Sequence, residues 1–171
     1  MAVELVPATT EEITELAEHE IERNGKLELS NISQEFFIWL AGFIDGEGCL
    51  QLEINNKTGR IHSRLYIVNT KASVIQYIKN TINHGTIMVR KPQKAIHKTS
   101  YAFAIMGTQK LSSLLQVLLP HFRVKAEQAK ILIEWAEKRK LRPNQPYNAE
   151  EMVLYDRLKQ LNKKGVPIES A

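Results

Sequence analysis

The sequence predicts an α+β domain: one apolar helix, then two pairs of strands separated by a helix, then further helices. Three observations lead there. The run Trp39-Leu40-Ala41-Gly42-Phe43-Ile44 is apolar over almost the whole circumference of a helix. Residues 49–55 and 60–68 alternate with period two on either side of a turn-forming Asn56-Lys57-Thr58-Gly59. After Gly107 the leucines return at helical spacing. A chain of 171 residues, 43% of them hydrophobic, is long enough and apolar enough for one domain with a core.

Residues 1–32 read as an acidic extension with one short amphipathic helix, in which Thr9 and Glu12 form a capping box and Ile13, Leu16, Ala17 and Ile21 make a narrow stripe. Asn24-Gly25 ends it. The main domain is expected over 33–165, with a tail at 166–171. Ser33 is the N-cap of the organising helix, and Phe36, Phe37, Leu40, Ala41, Phe43 and Ile44 predict burial nearly all round. Gly42 and Gly46 fall four apart on one face. An interior glycine costs a helix about 1 kcal/mol against alanine, and the compensating gain is close approach of a second backbone, such as a second copy of the same helix. Gly46 and Gly48 are expected to end the helix after Ile44. Asp45 and Glu47 then stand at its negative dipole end, where a hard divalent cation would offset their charge.

Cys49 to Asn55 is a half-buried strand, with Leu50, Leu52 and Ile54 inward; residues 60–68 return as its hairpin partner. Asn69 or Thr70 caps a helix to Ile82 with a stripe of Val74, Ile75, Tyr77 and Ile78, and Gly85 breaks it. Strands follow near 86–91 and 99–106 around the basic loop 92–98, the second with Tyr101, Phe103 and Ile105 in the core and Ser100, Ala102 and Ala104 on the other face. A helix from Gly107-Thr108 to Leu119 turns Leu111, Leu114, Leu115 and Leu118 inward and stops at Pro120. Another over 124–140 buries Ala129, Ile131, Leu132, Trp135 and Ala136. The stretch Arg142-Pro143-Asn144-Gln145-Pro146 reads as hinge-like. Asn148 caps a last helix, ended by Gly165, that packs back through Met152, Tyr155, Leu158 and Leu161.

Charge narrows the function. Residues 1–35 hold nine glutamates against Arg23 and Lys26, so the rest of the chain is far more basic than the overall +4. From Ile54 through Ala126 there is no Asp or Glu at all, while twelve lysines and arginines occur there. A solvated face mixes signs; a long stretch purged of one sign suits a polyanion. The alternation collects Gln51, Glu53, Asn55, Arg60, His62, Arg64, Tyr66, Thr86, Met88, Arg90, Ser100 and Ala102 on the outward face, with Lys71 and Lys98 beside it. These residue types read base edges as well as phosphates: Arg suits guanine, Asn and Gln suit adenine, Glu accepts from cytosine, and small groups sit against thymine methyls. Nucleic acid fits better than an acidic membrane or a heparin-like partner, and a membrane-binding surface would lack that mixture; double-stranded DNA is the form expected. With one cysteine, Cys49, no internal disulfide is possible, and a reducing, intracellular setting is expected. No apolar run approaches a membrane span, and the glutamate-rich N-terminus is unlike a transit peptide. The histidines do not occur at metal-ligand spacing.

Leu40-Ala41-Gly42-Phe43-Ile44-Asp45-Gly46-Glu47-Gly48 resembles the LAGLIDADG motif of homing endonucleases, and the order of elements from residue 33 to about 162 is similar to the domain of that family. One motif per chain resembles its single-motif, intron-encoded members. The resemblance implies a homodimer whose motif helices meet through Trp39, Gly42, Phe43 and Gly46. It implies an antiparallel four-stranded sheet on a pseudo-palindromic DNA site and hydrolysis of both strands. It also implies metal binding by Glu47 and the Gly46 carbonyl. The cation would be Mg²⁺, with Mn²⁺ expected to substitute and Ca²⁺ to bind without supporting cleavage. Glu47 stands where the family usually has Asp. Asn69 matches the water-orienting position and Lys125 the basic one, while Ser73 replaces a family arginine and leaves Lys71 as the nearest substitute. Asp45 is expected to hold the helix end or cap a neighbouring helix. Two alternatives share the fold: a maturase that binds its host intron RNA, which would not need Glu47, and a non-catalytic DNA-binding protein. A mitochondrial or chloroplast origin is implied by the family's habits alone, with no import signal visible.

Overall fold

The computed structural model describes residues 25–91 and 98–163. The expected N-terminal helix, most of the basic loop, Gly165 and the tail lie outside the described residues. The elements in chain order are α1 (Gln34–Glu47), β1 (Gly48–Ile54), β2 (Ile61–Asn69), α2 (Ala72–Ile82), β3 (Thr86–Arg90), β4 (Ser100–Met106), α3 (Thr108–Leu118), a single 3-10 turn (Leu119–His121), α4 (Ala126–Leu141) and α5 (Ala149–Leu161). The α+β expectation holds, with each strand within a residue or two of its sequence limits.

The strands form one antiparallel sheet in the order β1-β2-β4-β3. All five helices pack against one side of it. That inner side is strictly apolar at its centre, where Leu50, Leu65, Ile67, Phe103 and Ile105 are fully buried against Leu111, Leu114, Leu115 and Trp135. Burying one such leucine or isoleucine contributes about 2 kcal/mol, so this layer carries much of the stability. The other side carries mainly polar and charged side chains, Gln51, Glu53, His62 and Arg64 among them.

Several expectations are corrected. The helix α1 does not stop after Ile44: it runs through Glu47, with Gly46 inside it, and Gly48 is the residue that ends it. Gly48 is required there because a Cβ would lie 2.7 Å from the Ile44 side chain. Gly48 is also the first residue of β1, so helix passes into strand without a loop. Nor is α1 buried all round. Its inner face packs Phe36, Phe37, Leu40, Ala41 and Ile44, whereas Ile38 and Trp39 are 51% and 38% exposed and Gly42 and Gly46 lie open. Asn83, in a left-handed conformation, ends α2 ahead of Gly85, and Tyr77 is exposed while Ile82 takes the buried place. In α5 Leu154 rather than Leu161 packs beside Leu158.

The segment before α5 is tied down rather than hinge-like. Arg142 donates to the Gln145 side chain and to the Pro146 carbonyl, and Arg139 donates to the Gln145 carbonyl. Both arginines also converge on Glu151, a fully buried carboxylate that completes a capping box with Asn148. Burial by itself raises the Glu151 pKa, but the Asn148 N–H and the two guanidinium groups outweigh it and hold the group below the usual carboxylate value. At the far end of α5 the Asn162 side chain donates to the Leu50 carbonyl and pins the helix to β1.

Candidate active site

Two carboxylates two residues apart, at the end of α1, have opposite surroundings. Asp45 accepts three backbone hydrogen bonds, from the N–H groups of Arg123 at 2.7 Å, Val124 at 3.2 Å and Lys125 at 2.8 Å. It thereby caps the entry to α4, as expected. The Lys125 ammonium returns the contact by donating to the Asp45 backbone carbonyl. This bond takes up one of the carbonyls that a helix C-terminus leaves without a partner and puts a positive charge at its negative end. Glu47, the last residue of the helix, is exposed and makes no hydrogen bond or ion pair with the described residues.

The register brings Asn69 to the same end of the sheet. Gly48 pairs with Ile67, so Glu47 and Asn69 both stand just past that rung, one leaving α1 and the other ending β2. The Asn69 side-chain oxygen accepts from the Lys71 N–H at 2.9 Å, just ahead of α2, whose N-cap is Lys71 without a side-chain cap rather than Asn69 or Thr70; the Asn69 NH₂ group is left available to other partners. Lys71 itself is exposed, as is Ser73. Among the described residues no three His, Cys, Asp or Glu side chains form a metal cluster. One chain therefore offers a hard cation a single carboxylate, Glu47, and neighbouring carbonyls such as that of Gly46. That donor set fits a divalent ion of the Mg²⁺ or Ca²⁺ type but leaves most of its shell to other molecules.

Gly42 and Gly46 face outward on α1, and a Cβ built on either meets nothing within 4 Å. Packing inside the chain therefore does not require them to be glycine. They lie in an exposed strip with Ile38 and Trp39, and the Trp39 ring stacks on Phe43 at 5.2 Å and meets Tyr77 at 5.5 Å.

The outer sheet face carries the expected side chains with two differences. Asn55 and Arg60 lie in the turn past the strand ends, and the Asn55 side-chain oxygen accepts from the N–H groups of Lys57 and Thr58, so it shapes the turn. Ala102 has the outward parity but is fully buried, because its cross-strand neighbours Val68 and Met88 are longer and stand on the same face. It cannot touch a ligand directly. Gln51, Glu53, His62, Arg64, Tyr66, Thr86, Met88, Arg90 and Ser100 share the face as expected, with Lys98 exposed at its margin. Sequence reasoning missed that these groups contact one another. Arg64 pairs with Glu53 and lies over Tyr66, which Arg90 also approaches. The hairpin spacing contains a signal for the ion pair, since it places Glu53 and Arg64 on one face of adjacent strands.

Comparison with known proteins agrees with this geometry. The family model for LAGLIDADG endonuclease matches residues 40–137. The DNA endonuclease I-CvuI of Chlorella vulgaris is 28% identical over 109 residues, which cover 60% of this chain and 64% of that protein, a little under two thirds of its length. A crystal structure of I-CvuI with a DNA target in the presence of magnesium, its DNA uncleaved, superposes with a TM-score of 0.64. Identity there is 26%, over 79% of this chain and 87% of that one. The archaeal intron-encoded homing endonuclease I-Vdi141I, complexed with DNA, shares the fold with a TM-score of 0.62 at 21% identity, covering 78% of this chain and 89% of that one. With its motif at the end of a helix that enters a four-stranded antiparallel sheet, and with that model matching more than half of its length, the chain belongs to the LAGLIDADG endonuclease family.

Proposed function

We propose that this protein is a site-specific DNA endonuclease that acts as a homodimer and hydrolyses both strands of a long, pseudo-palindromic target. The observation that carries the reading is Glu47: an unpaired, exposed carboxylate at a helix end, beside an uncovered glycine strip and at one end of a basic sheet face. Two chains meeting through Trp39, Gly42, Phe43 and Gly46 would bring two such carboxylates together at the dyad. Their sheets would then form one continuous surface over the major groove.

In this reading Glu47 and the Gly46 carbonyl hold a divalent cation, Mg²⁺ for cleavage. Once bound, that ion supplies Lewis-acid polarisation of the phosphate and a lowered pKa for the attacking water. The chain's own residues do the positioning. Lys125, fixed by its bond to the Asp45 carbonyl, holds positive charge at the end of α1, where it would stabilise the charge that develops on the leaving 3′-oxygen. Asn69, whose oxygen is occupied by the Lys71 N–H, has its NH₂ group to orient water. The outer face binds and selects the duplex through Arg64, Arg90 and their neighbours, and phosphate contacts come from Lys71 and Lys98.

The test is incubation with supercoiled plasmids carrying a library of inserts, in Mg²⁺ and in Ca²⁺, for wild type and Glu47→Gln. Specific linear product in Mg²⁺ only, absent with Glu47→Gln while binding persists, supports the proposal. Equal cleavage by Glu47→Gln refutes the assignment of this acid. Selective binding without cleavage by the wild type in Mg²⁺ or Mn²⁺ would point to a non-catalytic member of the fold.

A further inference from the structure

The outer sheet face is not a set of independent side chains. Arg64 Nη1 donates to Glu53 Oε2 at 2.9 Å, and its guanidinium carbon lies 4.5 Å from the centroid of the Tyr66 ring. The guanidinium of Arg90 lies 5.0 Å from the same centroid. Register explains how four residues on three strands meet. Arg64 and Tyr66 are two apart on β2; Glu53, on β1, sits diagonally from Arg64, whose direct partner is Gln51. Arg90 is on β3, two strands from Tyr66 and four residues along from Thr86, which is level with Tyr66. On β4 this face presents Ser100, level with Arg90, and then Ala102 and Ala104, both buried. Two methyl groups leave a shallow passage, and the long arginine side chain crosses it. This gives Ala102 its part: it clears the way for Arg90.

We propose that Glu53 and Tyr66 are positioning residues that hold Arg64 and Arg90 as one guanine-reading unit in the DNA major groove. This rests on the DNA-binding reading above. An arginine ordered before binding loses less rotamer freedom on binding, and its flat fork then meets the N7 and O6 acceptors of guanine in a fixed direction. The Glu53 carboxylate is half exposed, so its ion pair adds little to folding stability. Its effect is geometric and electrostatic. It fixes one edge of Arg64, and its charge repels phosphate while accepting a cytosine amino group, which penalises the wrong base pairs. The Tyr66 hydroxyl and the Arg64 Nε are buried with no hydrogen-bond partner among the described residues. The ring face, not the hydroxyl, therefore holds the unit together.

The experiment is selection from a random double-stranded DNA library, followed by binding of the enriched duplex and its single-base-pair variants over a range of salt. Arg64→Ala and Arg90→Ala are each expected to lose roughly tenfold or more of the discrimination at one position per half-site. Their combined effect departs from additivity by about two- to tenfold in the native background and becomes additive in Tyr66→Leu, while Tyr66→Phe preserves the coupling. Glu53→Gln is expected to bind random duplex more tightly, with weaker discrimination and unchanged thermal stability. Additive arginine effects in both backgrounds, or full discrimination by Tyr66→Leu, would overturn the unit while the enriched duplex left the DNA reading standing. A folded wild type that enriches no duplex would overturn both.

Discussion

The two sides of α1 differ in what covers them, and the two motif carboxylates differ in the same way. On the inner side Leu40, Ala41 and Ile44 are fully buried, and Asp45 at its margin is committed to three backbone N–H groups. On the outer side Ile38, Trp39, Gly42 and Gly46 lie uncovered, and Glu47 has no partner among the described residues. One helix thus divides its labour by face. The side that its own chain covers builds the fold; the side left bare is the one we propose for association and chemistry. In a motif whose acids stand two residues apart, the neighbouring structure decides which acid is structural.

The comparison can be broken most sharply at Glu47. Replacement by Gln is expected to slow cleavage on the order of 10³-fold, read from single-turnover kinetics on the enriched target. The melting temperature should stay close to that of the wild type, since the Glu47 side chain has no hydrogen bond or ion pair among the described residues. Asp45→Ala should show the reverse balance, with a stability loss of about 2–3 kcal/mol in denaturant unfolding. Its activity should recover at low temperature, where the variant is folded. Were Asp45→Ala as stable as wild type but inactive, the two acids would have been assigned the wrong way round.

A smaller effect sharpens the contrast from the scaffold side. The folded pKa of Glu151 is lowered, so its contribution to stability is present above the unfolded value of about 4.3 and is lost as the pH falls through the folded value. Glu151→Gln should therefore flatten the decline in stability on acidification and cost about 1–2 kcal/mol at neutral pH. Urea titrations at several pH values measure both. Cleavage by the folded variant should be unchanged, because Glu151 is engaged by Arg139, Arg142 and Asn148 and not by Glu47, Asn69 or Lys125.

Much of this could be read in the sequence because it follows from local periodicity. The alternation of β1 and β2 survives intact, from Leu50 inward to Arg64 outward, since a one-residue slip would bury every charged group. Ser33 and Asn148 cap their helices because the geometry of a cap lies within four residues. Contacts between distant segments were not legible. The burial of Ala102 depends on Val68 and Met88, and the anchoring of Glu151 depends on the two arginines at the end of α4. The limit of α1 was misjudged because Gly46 was read as a terminator, whereas a helix carries an exposed glycine at a cost of about 1 kcal/mol. Apolar composition could not separate burial by the same chain from burial by another, which is why Ile38 and Trp39 lie bare where a closed core helix was expected.

Gly42 tests the division of faces most directly. A Cβ there meets nothing within 4 Å among the described residues, so Gly42→Leu should fold with unchanged or slightly greater stability, by up to about 1 kcal/mol. Sedimentation equilibrium of wild type and Gly42→Leu over a range of concentrations is the decisive measurement. The account predicts the mass of two chains for the wild type and of one 19.6 kDa chain for the variant, with cleavage lost in step. A wild type that stays monomeric at every concentration and on its target DNA, or a Gly42→Leu variant that dimerises and cleaves normally, would contradict it.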